Sequence, residues 1–214
     1  MSTVHRPIWL RSLEANAGLV SCIVVDGEVH DMRRNPWTME YQRVPQLVAE
    51  AIREVAFKTV IEWDPVTGIQ GRDAARWEEL ARAVGPNEAR GATYAVAPEA
   101  YYDNEPQRAF VTVEDFAAVM LAAMVDGTDR PTAFVVNFAN YAFSFGQQPS
   151  QTERDLLARL AKAIIGRDSS EVTGPRNLLV LVSPSAHALP LSMLPGPAHV
   201  RVVEIGRASC RERV

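Results

Sequence analysis

Lysine is almost missing from this sequence. Of its 22 basic residues in 214, only Lys58 and Lys162 are lysines, and the rest are arginines. With a formal charge of -4, the chain has no basic surplus of the kind that neutralises a phosphate backbone. A nucleic-acid partner is therefore not expected. Arginine and alanine both have GC-rich codons, which points to a GC-rich bacterial genome. Cysteine is scarce as well. Cys22 and Cys210 offer neither metal-ligand spacing nor a disulfide framework. Cys22 lies in an apolar run and reads as a small buried hydrophobe in a reducing cytoplasm. Long hydrophobic runs are absent. The longest, Phe116 to Val125, covers ten residues, and a membrane span needs about 20. No small-residue cleavage site follows the apolar stretch that runs into Asp26, so no signal peptide is expected. Hydrophobic residues at 47% exclude disorder as the main state.

Complete catalytic motifs are missing too. There is no G-x-S-x-G elbow, and Ser183, Ser185 and His187 crowd within five residues. That spacing suits exposed loop polars better than a dispersed nucleophilic triad.

What is present is a regular alternation of apolar runs and amphipathic stretches. Pro7 to Ala15 reads as a helix opened by proline and closed by Asn16 and Gly18. Leu19 to Val25 is a continuous apolar run, the pattern of a strand buried on both faces. Asp31 to Tyr41 reads as a polar loop. Val44 to Phe57 is a helix with Leu47, Val48, Ala51, Ile52 and Val55 on one face. Thr59 to Trp63 is a second buried strand, and Asp64 to Gly68 turns the chain. Arg72 to Val84 is a helix. Gly85 to Arg108 is irregular, and Tyr94, Tyr101, Tyr102 and Phe110 are expected to pack that loop onto the domain. Thr112 and Asp115 resemble a capping box, and the helix after them runs to about Val125. Ala133 to Ala139 is a third strand. Ser150 and Glu153 form a capping box for a helix over Gln151 to Ile165. Asn177 to Val182 and His199 to Val203 are the fourth and fifth strands.

Five short apolar strands separated by helices predict an α/β fold, a parallel five-stranded sheet with helices on both faces. Residues 1–204 read as one domain. Ligands in such sheets bind at the carboxyl ends of the strands. That edge comprises Asp26 to Asp31, Glu62 to Thr67, Asn137 to Phe145 and Ser183 to Ala188.

The order of these features resembles the nucleotide-binding core of an AAA+ ATPase. The stretch Asn177-Leu-Leu-Val-Leu-Val-Ser183, Ala188-Leu-Pro190, Leu194-Pro195 and Val200-Arg-Val-Val is similar to that family's sensor-1 strand, connecting segment and last strand. The resemblance implies a P-loop-NTPase-like fold and a nucleotide pocket around Gly27, Asn137 and Ser183. The departures imply that this pocket is degenerate. Strand one should lead into G-x-x-x-x-G-K-[ST], whose amides and lysine hold phosphates. Here Asp26-Gly27-Glu28-Val29-His30-Asp31 stands instead, with one glycine, no lysine and three acidic side chains that repel a triphosphate. The third strand should end in an acidic pair, and here Asn137-Phe138 replaces it. The resemblance thus implies a non-hydrolysing domain in a homo-oligomeric ring that meets a protein partner. No cofactor is expected in this domain, with ATP and magnesium held in a further one.

A rival reading starts from the same carboxylates. If strand one persists, Asp26, Glu28 and His30 share one face and form a candidate metal site. With Asp31 and Asp64, Asp26 and Glu28 would then serve a divalent-metal-dependent phosphohydrolase or nuclease. A third reading is an interaction domain without a ligand. Arg33-Arg34 with Trp37 is a candidate for touching phosphate or an acidic partner.

The last ten residues, 205–214, have no periodicity. Ile-Gly-Arg-Ala-Ser-Cys-Arg-Glu-Arg-Val is similar to the translation of a sequencing-library adapter, ATC GGA AGA GCG TCG TGT AGG GAA AGA GTG. The expectation is a non-native tail, with the native chain continuing past Glu204. Sequencing the locus beyond the Glu204 codon tests it.

Overall fold

A computed structural model describes residues 6–55, 57–84, 111–126, 128–143, 151–165, 177–189, 196 and 198–206. The elements in chain order are α1 (Ile8–Ala17), β1 (Cys22–Gly27), β2 (Met32–Arg34), β3 (Tyr41–Arg43), α2 (Val44–Val55), β4 (Thr59–Asp64) and β5 (Gly68–Gln70). There follow α3 (Ala74–Val84), α4 (Val113–Asp126), β6 (Thr132–Val136), α5 (Ala139–Ala142), α6 (Gln151–Ile165), β7 (Leu178–Ser183) and β8 (Val200–Ile205). A 3-10 turn, Ala186–Ala188, follows β7.

The main sheet has six strands in the order β5-β4-β6-β7-β1-β8. All neighbours are parallel except β4 and β5. The expected five parallel strands are therefore present, and β5 is an addition. Only its first residue, Gly68, falls in the expected turn, and Ile69 and Gln70 fall in no expected element, because three residues carry no resolvable alternation. Asp64 makes it possible. Its Oδ1 accepts from the Val66 and Thr67 amides at 2.8 and 2.7 Å, while Oδ2 accepts from Thr67 Oγ1 and Gln70 Nε2. This Asx turn folds the chain back along β4.

A second addition corrects the polar loop expected over Asp31 to Tyr41. An antiparallel pair, β2–β3, forms there and runs on to Arg43. Fully buried Asn35 pins the turn. Its Oδ1 accepts from Trp37 N at 2.7 Å, and its Nδ2 donates to Gln42 Oε1 and Glu50 Oε2 at 2.9 and 2.6 Å. The third strand also stops at Val136, short of the expected Ala139, and a short helix follows.

Strand order dictates where the helices lie. β1 crosses in one direction to β4, whereas β4 to β6, β6 to β7 and β7 to β8 step the other way. Right-handed connections of opposite direction put their helices on opposite faces. Ile23, Val25, Val60, Val135 and Val180 accordingly pack on α1 and α2, with Leu10, Leu13, Leu47 and Ile52. Val24, Ile61, Trp63, Val136 and Leu181 pack on α3, α4 and α6. Successive residues of a strand point to opposite faces, and both faces here are dry. That is why the strands read as unbroken apolar runs. Trp63 stacks on Phe116 at 4.7 Å between ring centroids and Phe116 on Trp77 at 5.4 Å, which ties α3 and α4 to β4.

Thr112 caps α4, its Oγ1 accepting from Asp115 N at 3.2 Å and donating to Asp115 Oδ2 at 2.9 Å. The aromatic group Tyr94, Tyr101, Tyr102 and Phe110 and the Ser150–Glu153 capping box lie outside the described residues. β8 runs through Ile205, which is buried and pairs with Gly27.

Candidate functional site

The chain leaves β1 over the α1/α2 face. It leaves β7 over the other, where Ala186 and Leu189 join the α3/α4/α6 core. Two neighbouring strands whose connections diverge open a crevice at their carboxyl ends. Here that crevice lies between β1 and β7, where Asp26 and Ser183 stand opposite each other.

The crevice is lined by groups already bonded to the protein. Asp26 Oδ1 accepts from the Ala186 amide at 2.7 Å. Fully buried Ser183 donates from Oγ to Ser185 O at 2.8 Å and accepts from Ser185 N at 3.3 Å. Gly27 has φ 114, and a Cβ there would stand 2.5 Å from Ile205 O. Its glycine is explained by the close approach of β8 and the left-handed backbone. Strand β1 ends at Gly27, and a tight turn follows, with Val29 N donating to Gly27 O at 2.7 Å.

The turn scatters the carboxylates that strand alternation would have aligned. Glu28 and His30 are exposed, and Asp31 is 3.6 Å from the inward-turned Arg33, which donates to Gly206 O at 2.8 Å. Asp64 ends β4, three strand spacings from β1, about 14 Å away. The structure therefore does not bring Asp64 to Asp26, Glu28 and Asp31. Among the described residues no group of three or more His, Cys, Asp or Glu is placed to hold a metal ion. Trp37 of the Arg33-Arg34 segment carries the Arg6 guanidinium at 5.4 Å from its ring.

Asn137 follows β6, its amide donating to Trp63 O at 2.8 Å. The residue is 6% exposed, and its carboxamide oxygen has no hydrogen-bond partner. Phe138, at φ 54, stacks on His30 with centroids 5.4 Å apart, and Tyr141 lies 6.3 Å beyond. Phe138, Asn140 and Tyr141 fall in the expected edge segment Asn137 to Phe145, but Asn140 and Tyr141 are not marked individually in the sequence. They carry no periodicity, and their grouping with His30 exists only in three dimensions.

One ionisable cluster lies below the edge. Glu62, buried on β4, faces Arg53 of α2, whose guanidinium is 3.2 Å from both Glu62 Oε1 and Asp73 Oδ2. Burial raises the Glu62 pKa above the ordinary carboxylate value, against the opposing pull of Arg53. Burial alone pushes the Cys22 thiol up to about 12, so this cysteine is an inert packing group.

No described helix is long and apolar enough to cross a membrane. Among curated proteins none matches the chain. Residues 2–206 match the family model described as the AAA+ chaperone, N-terminal Rossmann-like domain. Together with a doubly wound parallel sheet and a switch-point crevice at β1, that match shows that the chain belongs to the family of AAA+ chaperone N-terminal Rossmann-like domains.

Proposed function

We propose that this domain serves its AAA+ protein through contacts with other chains, in ring assembly or substrate engagement, and does not hydrolyse nucleotide. The end of β1 carries the reading. A phosphate-binding loop offers free backbone amides and a lysine to an anion. At that position this chain has Asp26 bonded to the Ala186 amide, then exposed Glu28 and half-buried Asp31. Each of these charges opposes a triphosphate. At the end of β6, Asn137 offers a neutral oxygen where a base would be needed. The pocket around Gly27, Asn137 and Ser183 is thus degenerate, and ATP and magnesium are held elsewhere in the AAA+ protein.

Calorimetric titration with MgATP tests this. The expected result is no heat of binding up to millimolar nucleotide. Tight, magnesium-dependent binding overturns the reading.

A further inference from the structure

The loops after β1 and β6 meet in an aromatic ladder of His30, Phe138 and Tyr141. His30 is exposed, Tyr141 is 71% exposed, and Phe138 between them is half-buried. Phe138 occupies a left-handed conformation that bulky residues rarely adopt. Such strain clusters where a side chain must be presented in one direction.

Two carboxamides flank the ladder. The side-chain oxygens of Asn137 and Asn140 are buried and make no hydrogen bond. Buried acceptors are nearly always paired, so these two call for a donor from outside the chain. The stacking of His30 on Phe138 brings the 28–31 loop beside the segment that carries Asn137, and Val29 of that loop packs on the face of Val135. The loop carries exposed Glu28 and Asp31, whose side chain is 41% exposed. Among the described residues, the cations of the adjoining β2–β3 pair are Arg33, turned inward onto Gly206 O and 3.6 Å from Asp31, Arg34, bonded to Met39 O, and Arg43, exposed opposite Met32.

Ring faces, unpaired acceptor oxygens and carboxylates together match one side chain best. A guanidinium is planar, stacks on aromatic rings, donates five hydrogen bonds and carries positive charge. A phosphate group would meet the carboxylates instead. We infer that this edge binds an arginine side chain presented by a peptide segment of a partner protein. The inference rests on the reading of this domain as one that works by protein contact.

The test is fluorescence anisotropy with a labelled Gly-Ser peptide carrying two arginines, beside the same peptide carrying two glutamates. The arginine peptide is expected to bind and the glutamate peptide not. Tyr141→Ala and Glu28→Gln are each expected to weaken binding by about threefold or more. Glu78→Gln, on an exposed position of α3, is expected to leave it unchanged. All three side chains are exposed, so unchanged far-UV circular dichroism separates lost binding from lost folding. Equal binding by the native protein and all three variants marks diffuse attraction to an acidic protein and overturns the inference. No binding of either the arginine peptide or MgATP overturns it too, and leaves the non-hydrolysing reading standing. Tight MgATP binding without peptide binding overturns both.

Discussion

Gly27 and Gly18 make a controlled pair. Gly27 has φ 114 and no room for a Cβ, whereas Gly18 has φ -95 and nothing within 4 Å of that position. Gly27→Ala is expected to cost about 1–3 kcal/mol, because strain and a backbone clash both enter. Gly18→Ala is expected to change stability by less than about 1 kcal/mol. Urea denaturation midpoints check both. Glu62 gives a pH prediction. Its folded pKa is raised, by burial first, so folding favours its protonated form. That contribution is fully present below the ordinary carboxylate pKa and is lost as pH rises through the folded value. The stability of the native protein relative to Glu62→Gln should therefore improve as pH falls from about 7 to 4. A flat difference over that range refutes it. At this scale the sequence was partly legible. Asp26, Asn137 and Ser183 were marked by standing at strand ends. The partner of Asp26 was not, because Ala186 lies 160 residues from it.

Elements were more legible where they were long. α2, β4 and α6 begin at the expected residues, since a face buried over several turns or a dry strand leaves a periodic trace. β2, β3 and β5 span three residues each and depend on single side chains, Asn35 and Asp64, for their turns. Asp64→Ala removes the four bonds that Asp64 accepts in the β4–β5 turn and leaves that from Gln70 Nε2 to Thr67 Oγ1. Amide hydrogens of Gly68 to Gln70 are then expected to exchange faster, with those of β6 unchanged, by exchange mass spectrometry or NMR. Thr112→Ala removes the α4 cap and should cost about 1 kcal/mol in denaturant unfolding.

The whole molecule is two cores sharing one sheet. Every central strand contributes alternate residues to each. Neither core can open without exposing strands of the other, so unfolding is expected as one transition. Trp9 reports the α1/α2 core and Trp63 the opposite one. In variants keeping only one of them, with the other tryptophans changed to Phe, the fluorescence midpoint should equal that variant's own far-UV midpoint. A separation between the two probes would show that the cores unfold independently.

The amino-acid sequence by itself determined the five parallel strands, the longer helices and their order. Local periodicity depends only on which face of an element is dry, and that is written into neighbouring residues. It also shows that no G-x-x-x-x-G-K-[ST] stretch follows β1. Only the tertiary structure decided the strand order, the position of the β1–β7 crevice and the meeting of His30 with Phe138 and Tyr141. These depend on contacts between residues far apart in the chain, set by packing and crossover handedness rather than by any local pattern.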